Sequence, residues 1–593
     1  MRHKQGMPIE KAKDFGGAVR RLFSYIGAEK WFMVLSAVIA IAASIIGALA
    51  PRVLGMATDE IFEGVTRTMR GESGIILQNV ITILLFMFVL HTANILLNYA
   101  QGYIMAGVSM RITYRLRAEI SEKIHRLPIK FFDKTPHGDV LSRITNDVDT
   151  ISNTLNSGLS NALMSAVQVL GIIIMMFVIS PVLTLVAMAI LPLSGFYMGL
   201  IMKKSQKHFK AQQENLGKLN AHIEEMFTNH AIIKSFNGEE SSAREFDTHN
   251  DNLYRAAWKA NFLSGLMMPI IGFISNLGYV AIVIIGGALT LRGSLTIGGI
   301  QAFIQYTRQF GHPMSQLASV AAVFQQTAAA AERVFNFLGE EEESSSPSLQ
   351  KNFKGYVTFE NVSFGYENGK EVICDFSAEV EPGQRIAIVG HTGAGKTTIV
   401  KLLMRFYDVS AGRICLDGVD VREYSRDGLR KHFGMVLQDT WLFNGTIAEN
   451  IRYGKLNATD AEIKAAAQTA QAHHFIRTFP DGYSMKINEE ADNISAGQKQ
   501  LITIARTILA DPDILILDEA TSNVDTRTEV QIQHAMNNLM KGRTCFVIAH
   551  RLSTIRSADL ILVMQNGDIA EQGTHETLLA QGGIYTNLYN SQF

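Results

Sequence analysis

The stretch IAIVGHTGAGKTTIVKLL, residues 386–403, decides the fold of the C-terminal part of this chain. It has the pattern of a buried strand, a glycine-rich loop and a helix, and residues 390–397 match G-x-x-x-x-G-K-T. In such a loop, backbone N–H groups wrap phosphates, the lysine reaches the β- and γ-phosphate oxygens, and the threonine hydroxyl binds Mg²⁺. The stretch therefore predicts an α/β domain with a site for ATP and Mg²⁺ formed by Gly390, His391, Thr392, Gly393, Ala394, Gly395, Lys396, Thr397 and Thr398.

Two later apolar stretches end in residues suited to the same chemistry. ILILD, residues 514–518, predicts a buried strand ending in Asp518, which we expect to bind Mg²⁺; Glu519 follows and is expected to polarise the attacking water. CFVIAH, residues 545–550, predicts another buried strand whose exit presents His550 to a γ-phosphate. Because ligands bind at the carboxyl ends of parallel strands, these residues predict an ATPase active site at one sheet edge.

A second phosphate-binding element lies between these stretches. NISAGQKQLITIAR, residues 493–506, predicts a turn that opens a helix, and a helix N-terminus also presents N–H groups to phosphate. One ATPase domain holding one nucleotide needs only one such element. The sequence alone leaves the use of the second one open at this point.

The N-terminal half of the chain is predicted to cross a membrane. The chain has 593 residues, of which 47% are hydrophobic, and a net charge of −1, which points to no nucleic-acid partner. Runs that can span about 30 Å of hydrocarbon occur at residues 31–50, 75–97, 161–179, 182–202, 267–291 and, more weakly, 298–324. Their basic loops, 106–156 and 203–258, are expected in the cytoplasm together with both termini.

The basic loops are expected to form long stalks. A helix from Ile75 to about Arg126 would be about 75 Å long, so most of it must project into the cytosol. The stalk tips, Phe131–Arg143 and Ile233–Glu240, carry aromatic residues in a polar setting. We therefore expect them to dock onto the ATPase domain.

The sixth span carries a polar stripe at helical spacing, and Arg308 lies near its middle. An ionised side chain facing lipid there would cost several kcal/mol. The stripe could be buried in helix–helix contacts, but the wall of a substrate cavity is favoured. The candidate cavity residues are Arg308, Gln305, Gln301 and His312, with His91, Asn94, Asn98 and Asn276 as weaker candidates.

The order of the motifs VSFGY, GHTGAGKT, VLQD, NISAGQKQ, LILDEATSNVD and IAHR resembles the ATPase domain of ABC transporters. With six preceding spans, the chain resembles the bacterial exporter half-transporters of the multidrug and lipid type. The resemblance implies a polytopic α-helical membrane domain followed by an α/β P-loop ATPase domain. The expected boundaries are 1–30 for the cytoplasmic N-terminus with an interfacial helix, 31–338 for the membrane domain, 339–356 for a linker and 357–593 for the ATPase domain.

The resemblance also implies roles for further residues. Tyr366 would stack on adenine, Gln438 would link Mg²⁺ to the stalk tips, and His550 would be the switch histidine. Asp525 would lie in a loop that communicates between sites. The segment of Ser495, Ala496, Gly497 and Gln498, called the signature turn here, would cap the γ-phosphate held by a second ATPase domain. The chain is thus expected to supply half of each of two ATP sites.

One departure from the family's signature motif indicates whether the partner is a second copy of this chain or a different chain. Ala496 stands where the signature motif usually has glycine, and Asn493 replaces the usual glycine-rich approach. This combination is similar to the catalytically complete subunit of heterodimeric bacterial exporters. A heterodimer is therefore favoured over a homodimer.

The resemblance implies ATP-driven export of hydrophobic or amphipathic compounds across the bacterial cytoplasmic membrane, by alternating access. The alternative within the fold is a lipid or lipid-linked glycan flippase. Lys396 and Glu519 argue against a channel that does not hydrolyse ATP, and the spans exclude a soluble DNA-repair or translation protein. A peptide exporter with an N-terminal protease and an importer are disfavoured.

Overall fold

The computed structural model describes residues 12–72, 74–343, 353–366, 370–437, 440–488, 491, 493–518, 525–549 and 552–592. The chain divides into two compact units. The first comprises residues up to 126 and 135–340, and the second comprises 127–134 and the chain from 341 onward. The short segment Leu127–Lys134, which connects two membrane-domain helices along the chain, thus belongs to the unit that carries the ATPase motifs.

The first unit is entirely helical in its described part. Its helices, together with α4 of the second unit, are α1 (Phe15–Tyr25), α2 (Lys30–Met69), α3 (Leu77–Arg126), α4 (Ile129–Lys134), α5 (His137–Ser142), α6 (Val148–Asn153), α7 (Leu159–Ile179), α8 (Pro181–Thr228), α9 (His230–Ser235), α10 (Glu239–Gly265), α11 (Met267–Leu291) and α12 (Ile297–Leu338).

Five helical segments of the described chain are long and apolar enough to cross a membrane, and they contain α2, α3, α7, α8 and α11. The helix α12 has 42 residues but is not among them, because its glutamines, Arg308 and His312 lower its hydropathy. The predicted stalk helix is present as α3, whose 50 residues correspond to about 75 Å. The third and fourth predicted spans are joined at Ser180, which caps α8 by accepting a hydrogen bond from the N–H of Leu183.

Small residues set the crossing of α2 and α12. A Cβ on Gly298 would lie 1.9 Å from the carbonyl oxygen of Gly55, so the two backbones approach as closely as only glycines allow. At the same place Asp59 accepts hydrogen bonds from the N–H of Gly298, at 2.6 Å, and the hydroxyl of Thr296, at 2.9 Å. The first turn of α12 is thereby fixed against α2.

The second unit contains three sheets. Its strands are β1 (Val357–Phe364), β2 (Ile373–Val380), β3 (Arg385–Gly390), β4 (Ala411–Leu416), β5 (Val419–Asp420), β6 (Phe433–Val436), β7 (Gly445–Thr446), β8 (Lys486–Ile487), β9 (Ile514–Asp518), β10 (Thr544–Ile548), β11 (Leu560–Gln565) and β12 (Asp568–Gly573).

The remaining helices of this unit follow the strands along the chain. They are α13 (Lys396–Leu403), α14 (Arg426–Arg430), α15 (Ile447–Arg452), α16 (Asp460–Thr469), α17 (His473–Thr478), α18 (Ala496–Ala510), α19 (Thr526–Met540), α20 (Leu552–Arg556), α21 (His575–Gln581) and α22 (Ile584–Gln592).

The main sheet has the order β12-β11-β3-β10-β9-β6, and β11, β3, β10, β9 and β6 run parallel. Four of these strands read as continuous apolar runs because helices cover both faces of a parallel sheet. The strands that end at Gly390, Ile548, Asp518 and Val436 are neighbours. Their carboxyl ends therefore share one edge, where the sequence predicts the ATPase site.

Candidate functional site

Glycines shape the phosphate loop between β3 and α13. Gly390, Gly393 and Gly395 have φ values of 154°, 85° and 99°, which side-chain-bearing residues rarely adopt. A Cβ on Gly390 would lie 2.4 Å from the carbonyl oxygen of Met564, and one on Gly395 would lie 2.6 Å from Cδ1 of Ile373. The loop thus forms a cradle whose backbone turns as a phosphate loop must.

Several backbone N–H groups of the phosphate loop are available to a ligand. Only the N–H of Ala394 closes a turn, on the carbonyl of His391, while the N–H groups of Gly393, Gly395 and Lys396 make no backbone hydrogen bond in the described part of the chain. The Lys396 ammonium donates to the carbonyls of Gly390, at 2.6 Å, and His391, at 3.0 Å. These donors converge where an anion is needed, which matches phosphate binding.

Asp518 lies beside this loop at the end of β9. In the register of the sheet Asp518 pairs with Ile548, which pairs with Ile388 of the strand that leads into the loop. Burial lowers the pKa of the Lys396 ammonium, and the nearby Asp518 carboxylate opposes that shift. The lysine and the carboxylate therefore act on the same small volume.

The oxygen donors fit Mg²⁺. The Thr397 hydroxyl and the Asp518 carboxylate are hard ligands, and Mg²⁺ is usually held by one or two such groups together with waters and substrate phosphates. The described residues contain no cluster of three or more His, Cys, Asp or Glu side chains that could hold a metal by itself. When bound, Mg²⁺ would neutralise part of the phosphate charge.

Tyr366, the expected adenine-stacking residue, is held against the same helix. Its ring makes edge contacts with Phe364, at 5.0 Å, and Tyr407, at 5.1 Å, measured between ring centroids. Its hydroxyl lies 3.2 Å from Oγ1 of Thr398. The plane of the ring is thereby set next to the residues that follow the phosphate loop.

The signature turn opens the helix α18. Ser495 and Gln498 form a reciprocal capping box, in which the N–H of Ser495 donates to Gln498 at 2.9 Å and the N–H of Gln498 donates to Ser495 at 3.3 Å. Ala496 occupies the first helical position without disturbing the cap. In the part of the chain that the structure describes, no hydrogen bond or ion pair joins this turn to the phosphate loop of the same chain.

Three predicted residues of the ATP site lie outside the described residues: Glu519, His550 and Gln438. Their roles stay predictions. Asp525, expected in a communicating loop, is described and caps α19 by accepting a hydrogen bond from the N–H of Thr528 at 3.0 Å. These bonds to backbone and side chain of Thr528 lower the pKa of the Asp525 carboxyl.

The segment Leu127–Lys134 contacts the helix that carries the phosphate-loop lysine. Asp133 accepts a hydrogen bond from the Tyr407 hydroxyl and one from the Lys401 ammonium at 3.3 Å. The hydrogen bond from Tyr407 holds the pKa of Asp133 below its ordinary value of 3.8, while burial raises the pKa of Tyr407. A stalk tip is thus bonded to the ATPase fold through a charged group.

Lys401 and Tyr407 are functional residues that sequence reasoning missed. Lys401 also lies over the rings of Tyr366, at 5.6 Å, and Tyr407, at 5.9 Å, which connects the stalk tip to the expected adenine position. The only sequence signal was their position on and just after α13. The aromatic pair Phe131 and Phe132, on which the docking prediction rested, packs edge to face with a centroid distance of 5.4 Å.

The polar stripe of α12 is divided among different environments. Arg308 lines a cavity of about 390 Å³ between α7, α8, α11 and α12, and Asn276 lines it as well. Gln301 instead bonds to Thr58 of α2, His312 lies 3.0 Å from the Gln316 amide, and neither they nor Gln305 line that cavity. Asn94 and Asn98 bond to each other, and Asn94 donates to the carbonyl of Ala43.

Comparisons with known proteins match both units. Residues 33–314 match the family described as ABC transporter transmembrane region, and residues 373–522 match the family described as ABC transporter. The fatty acid ABC transporter ATP-binding/permease protein of Mycobacterium bovis is 44% identical over 98% of this chain and 97% of its own length.

Two further comparisons cover most of the chain. The ATP-dependent lipid A-core flippase of Syntrophus aciditrophicus is 36% identical over 84% of this chain and 83% of its own length. The solved structure of a bacterial Atm1-family ABC exporter with ATP bound is 29% identical, with a TM-score of 0.71, and covers 94% of this chain and 98% of that one.

Proposed function

Because this chain belongs to the ABC transporter family and has the fold of an exporter half-transporter, we propose that it exports hydrophobic or amphipathic compounds across the bacterial cytoplasmic membrane. The family makes it a multi-pass membrane protein whose cytoplasmic ATPase domain is coupled to transport. In our proposal, ATP closes two ATPase domains over a shared interface, the stalk tips follow, and the substrate cavity changes from inward to outward access.

The observation that carries this proposal is the pair of hydrogen bonds that join Asp133 to residues on and just after the helix that follows the phosphate loop. Asp133 of the segment Leu127–Lys134 is bonded to Lys401 and Tyr407, and α13 begins with the phosphate-loop residue Lys396. A movement of this helix on binding or loss of the γ-phosphate is thus transmitted directly to the stalk. In the proposal, the signature turn acts on the ATP of a second half-transporter, which supplies the missing contacts.

We further propose that the second half-transporter is a different chain. Ala496 in the signature turn and the approach through Asn493 support a heterodimer, in which this chain contributes Lys396, Asp518, Glu519 and His550 to the competent site. The side-chain amide of Asn493 donates a hydrogen bond to the carbonyl of Lys486 at 2.9 Å, which anchors the approach to the signature turn.

A lipid flippase of the same fold is the second candidate. Two of the relatives are named for a fatty acid and for lipid A-core, which supports a lipid-type substrate, whereas another relative is named as a putative multidrug export protein, which supports the first candidate. Transfer of a fluorescent lipid between leaflets, against accumulation of a fluorescent drug, separates the two candidates in the same proteoliposomes.

Glu519→Gln tests the proposed mechanism. Removing a group that polarises the attacking water should slow ATP hydrolysis by about 100-fold or more and abolish ATP-driven accumulation, while ATP still binds. The exposed Glu576 of α21 provides a matched control, because Glu576→Gln removes the same charge far along the chain from every ATP-site motif. Turnover at the wild-type rate in the Glu519 variant would remove that residue from its role.

A further inference from the structure

The cavity between α7, α8, α11 and α12 has the size and lining of a ligand site. Its volume of about 390 Å³ falls within the roughly 300–1,000 Å³ that is usual for small-molecule pockets. Most of its wall is apolar, with Met176, Ile190, Ile282, Ile304 and Phe310 among the lining residues. The cavity therefore offers one apolar compartment for an alkyl chain.

One ionised group projects into this apolar wall. Arg308 lies eleven residues after the start of α12 at Ile297, about 16 Å along the helix and thus near the middle of a bilayer of about 30 Å. Its guanidinium carbon lies 5.6 Å from the centroid of the Tyr279 ring. A cation–π contact of this kind orients the guanidinium but leaves its N–H donors available.

Arg308 has no carboxylate partner among the residues that the structure describes. The helical segments that form the cavity, residues 159–179, 181–202, 267–291 and 297–324, contain no Asp or Glu. In the described part of the chain Arg308 takes part in no ion pair or side-chain hydrogen bond. Charged side chains at this depth normally pair with one another, because an uncompensated charge in hydrocarbon costs several kcal/mol. The Arg308 side chain is exposed, so its N–H donors are open to a counter-ion that a bound ligand would supply.

The residues that line the cavity also determine which charge a ligand must carry. A guanidinium binds carboxylates and phosphates through paired charge-assisted hydrogen bonds and repels cations. The amide of Asn276 and the hydroxyl of Ser275 line the same cavity and can add hydrogen bonds to an oxyanion. Several polar groups thus line the same cavity as Arg308, while most of the remaining wall is apolar and suits an alkyl chain.

We propose that this cavity binds single-chain amphiphiles with an anionic headgroup, with Arg308 as the counter-ion of the headgroup and the apolar wall around the chain. The inference rests on the proposed export function and gives it a substrate class. A carboxylate and a phosphate monoester share the required chemistry. A cationic amphiphile of equal length does not.

The test measures binding apart from transport. The assembled transporter in nanodiscs is labelled with a photoreactive hexadecanoate, which is competed by hexadecanoate, hexadecyl phosphate, hexadecanol or hexadecyltrimethylammonium, with empty nanodiscs as background. The two anions should compete at least about tenfold better than the alcohol or the cation, since a charged hydrogen-bonded pair is worth about that factor or more. Their relative strength identifies the headgroup.

Three variants locate the site. Arg308→Gln should weaken labelling roughly 10- to 100-fold, whereas Arg308→Lys, which keeps the charge, should weaken it less. Gly311→Leu keeps Arg308 but places a side chain in the cavity, since a Cβ on Gly311 meets no atom within 4 Å, and it should also reduce labelling. The control Arg292→Gln removes a cation from the loop between α11 and α12 and should change nothing.

Each remaining result has a definite meaning. Equal competition by the cation and the anions, or unchanged labelling of the Arg308→Gln variant, would overturn the inference. Anion-selective labelling that is lost in this variant, in a transporter that shows no ATP-driven movement of the probe, would instead overturn the export function and leave the binding site standing.

Discussion

Asp133→Asn should uncouple ATP hydrolysis from transport without preventing ATP binding. The amide keeps the shape of the carboxylate but carries no charge, so it accepts a weaker hydrogen bond from the Tyr407 hydroxyl and loses the ion pair with the Lys401 ammonium. Both partners lie on or just after α13, away from the donors that hold phosphate. The substitution therefore weakens the attachment of the segment Leu127–Lys134 and leaves the phosphate loop unchanged.

The size of the effect follows from the two contacts. A hydrogen bond to a charged group contributes about 1.5–3 kcal/mol, and the low end applies because the Asp133 side chain is 43% exposed. The ion pair with Lys401, 31% exposed on the lysine side, adds at most a fraction of 1 kcal/mol after solvent screening. A loss of about 2 kcal/mol shifts the equilibrium between attached and detached segment about 30-fold.

The assay is the ratio of substrate transported to ATP hydrolysed in proteoliposomes. This ratio should fall several-fold in Asp133→Asn, and nucleotide affinity should stay at the wild-type value. Asp139→Asn is the matched control, because Asp139 is exposed on α5 and its carboxylate makes no side-chain hydrogen bond or ion pair in the described part of the chain. Identical ratios in both variants and the wild type would refute the reasoning.

The pH dependence has a definite sign. The pKa of Asp133 is depressed in the folded protein, so its contribution is complete above the ordinary value of 3.8 and is lost as pH falls through the lower folded value. Between about pH 5 and pH 8 the carboxylate stays charged, and this contact should not change coupling. The Asp133→Asn defect should therefore be constant across that range.

The remaining predictions concern the phosphate loop and the oligomer. Gly395→Ala should weaken ATP binding about tenfold or more, because φ at this position is 99° and the new Cβ would lie 2.6 Å from Cδ1 of Ile373. Gly393→Ala should weaken ATP binding less, because φ is 85° there but no atom lies within 4 Å of the new Cβ. Titration with a fluorescent nucleotide distinguishes the two variants. The chain held as a monomer, as verified by light scattering, should hydrolyse ATP about 100-fold more slowly than the assembled transporter, since removing even one charge-stabilising donor costs that much; full activity in a strict monomer would contradict a shared site.

The local sequence pattern was sufficient to predict the helices and strands and their order along the chain. The hydrophobic runs gave the spans, and the absence of helix breakers before Pro128 gave the stalk, which is present as Leu77–Arg126. The prediction of a membrane domain followed by an ABC ATPase domain is confirmed. The phosphate loop could be predicted from the sequence because its functional groups belong to consecutive residues and its backbone conformation requires glycine at defined positions.

The polar stripe of α12 shows what the local sequence pattern could not predict. Its residues are equivalent in helical spacing, yet Gln301 bonds to Thr58, His312 pairs with Gln316, and Arg308 lies over Tyr279 beside a cavity. Spacing gives the face of a helix but not the helix that packs against each turn of it. Neighbours from α2 and α11 decided the environments of Gln301 and Arg308, whereas His312 pairs within α12 itself.

The sequence by itself determined which segments form helices, strands and the phosphate loop, because these depend on hydrophobic period, glycine conformation and residue type over a few turns. Only the tertiary structure decided that Asp133 meets Tyr407 and Lys401, and that Arg308 faces a cavity whose walls hold no carboxylate. The contacts of Asp133 join residues more than 250 positions apart in the chain, and the cavity beside Arg308 is formed by four helices together. No local pattern encodes such pairings, since they follow from how whole elements pack.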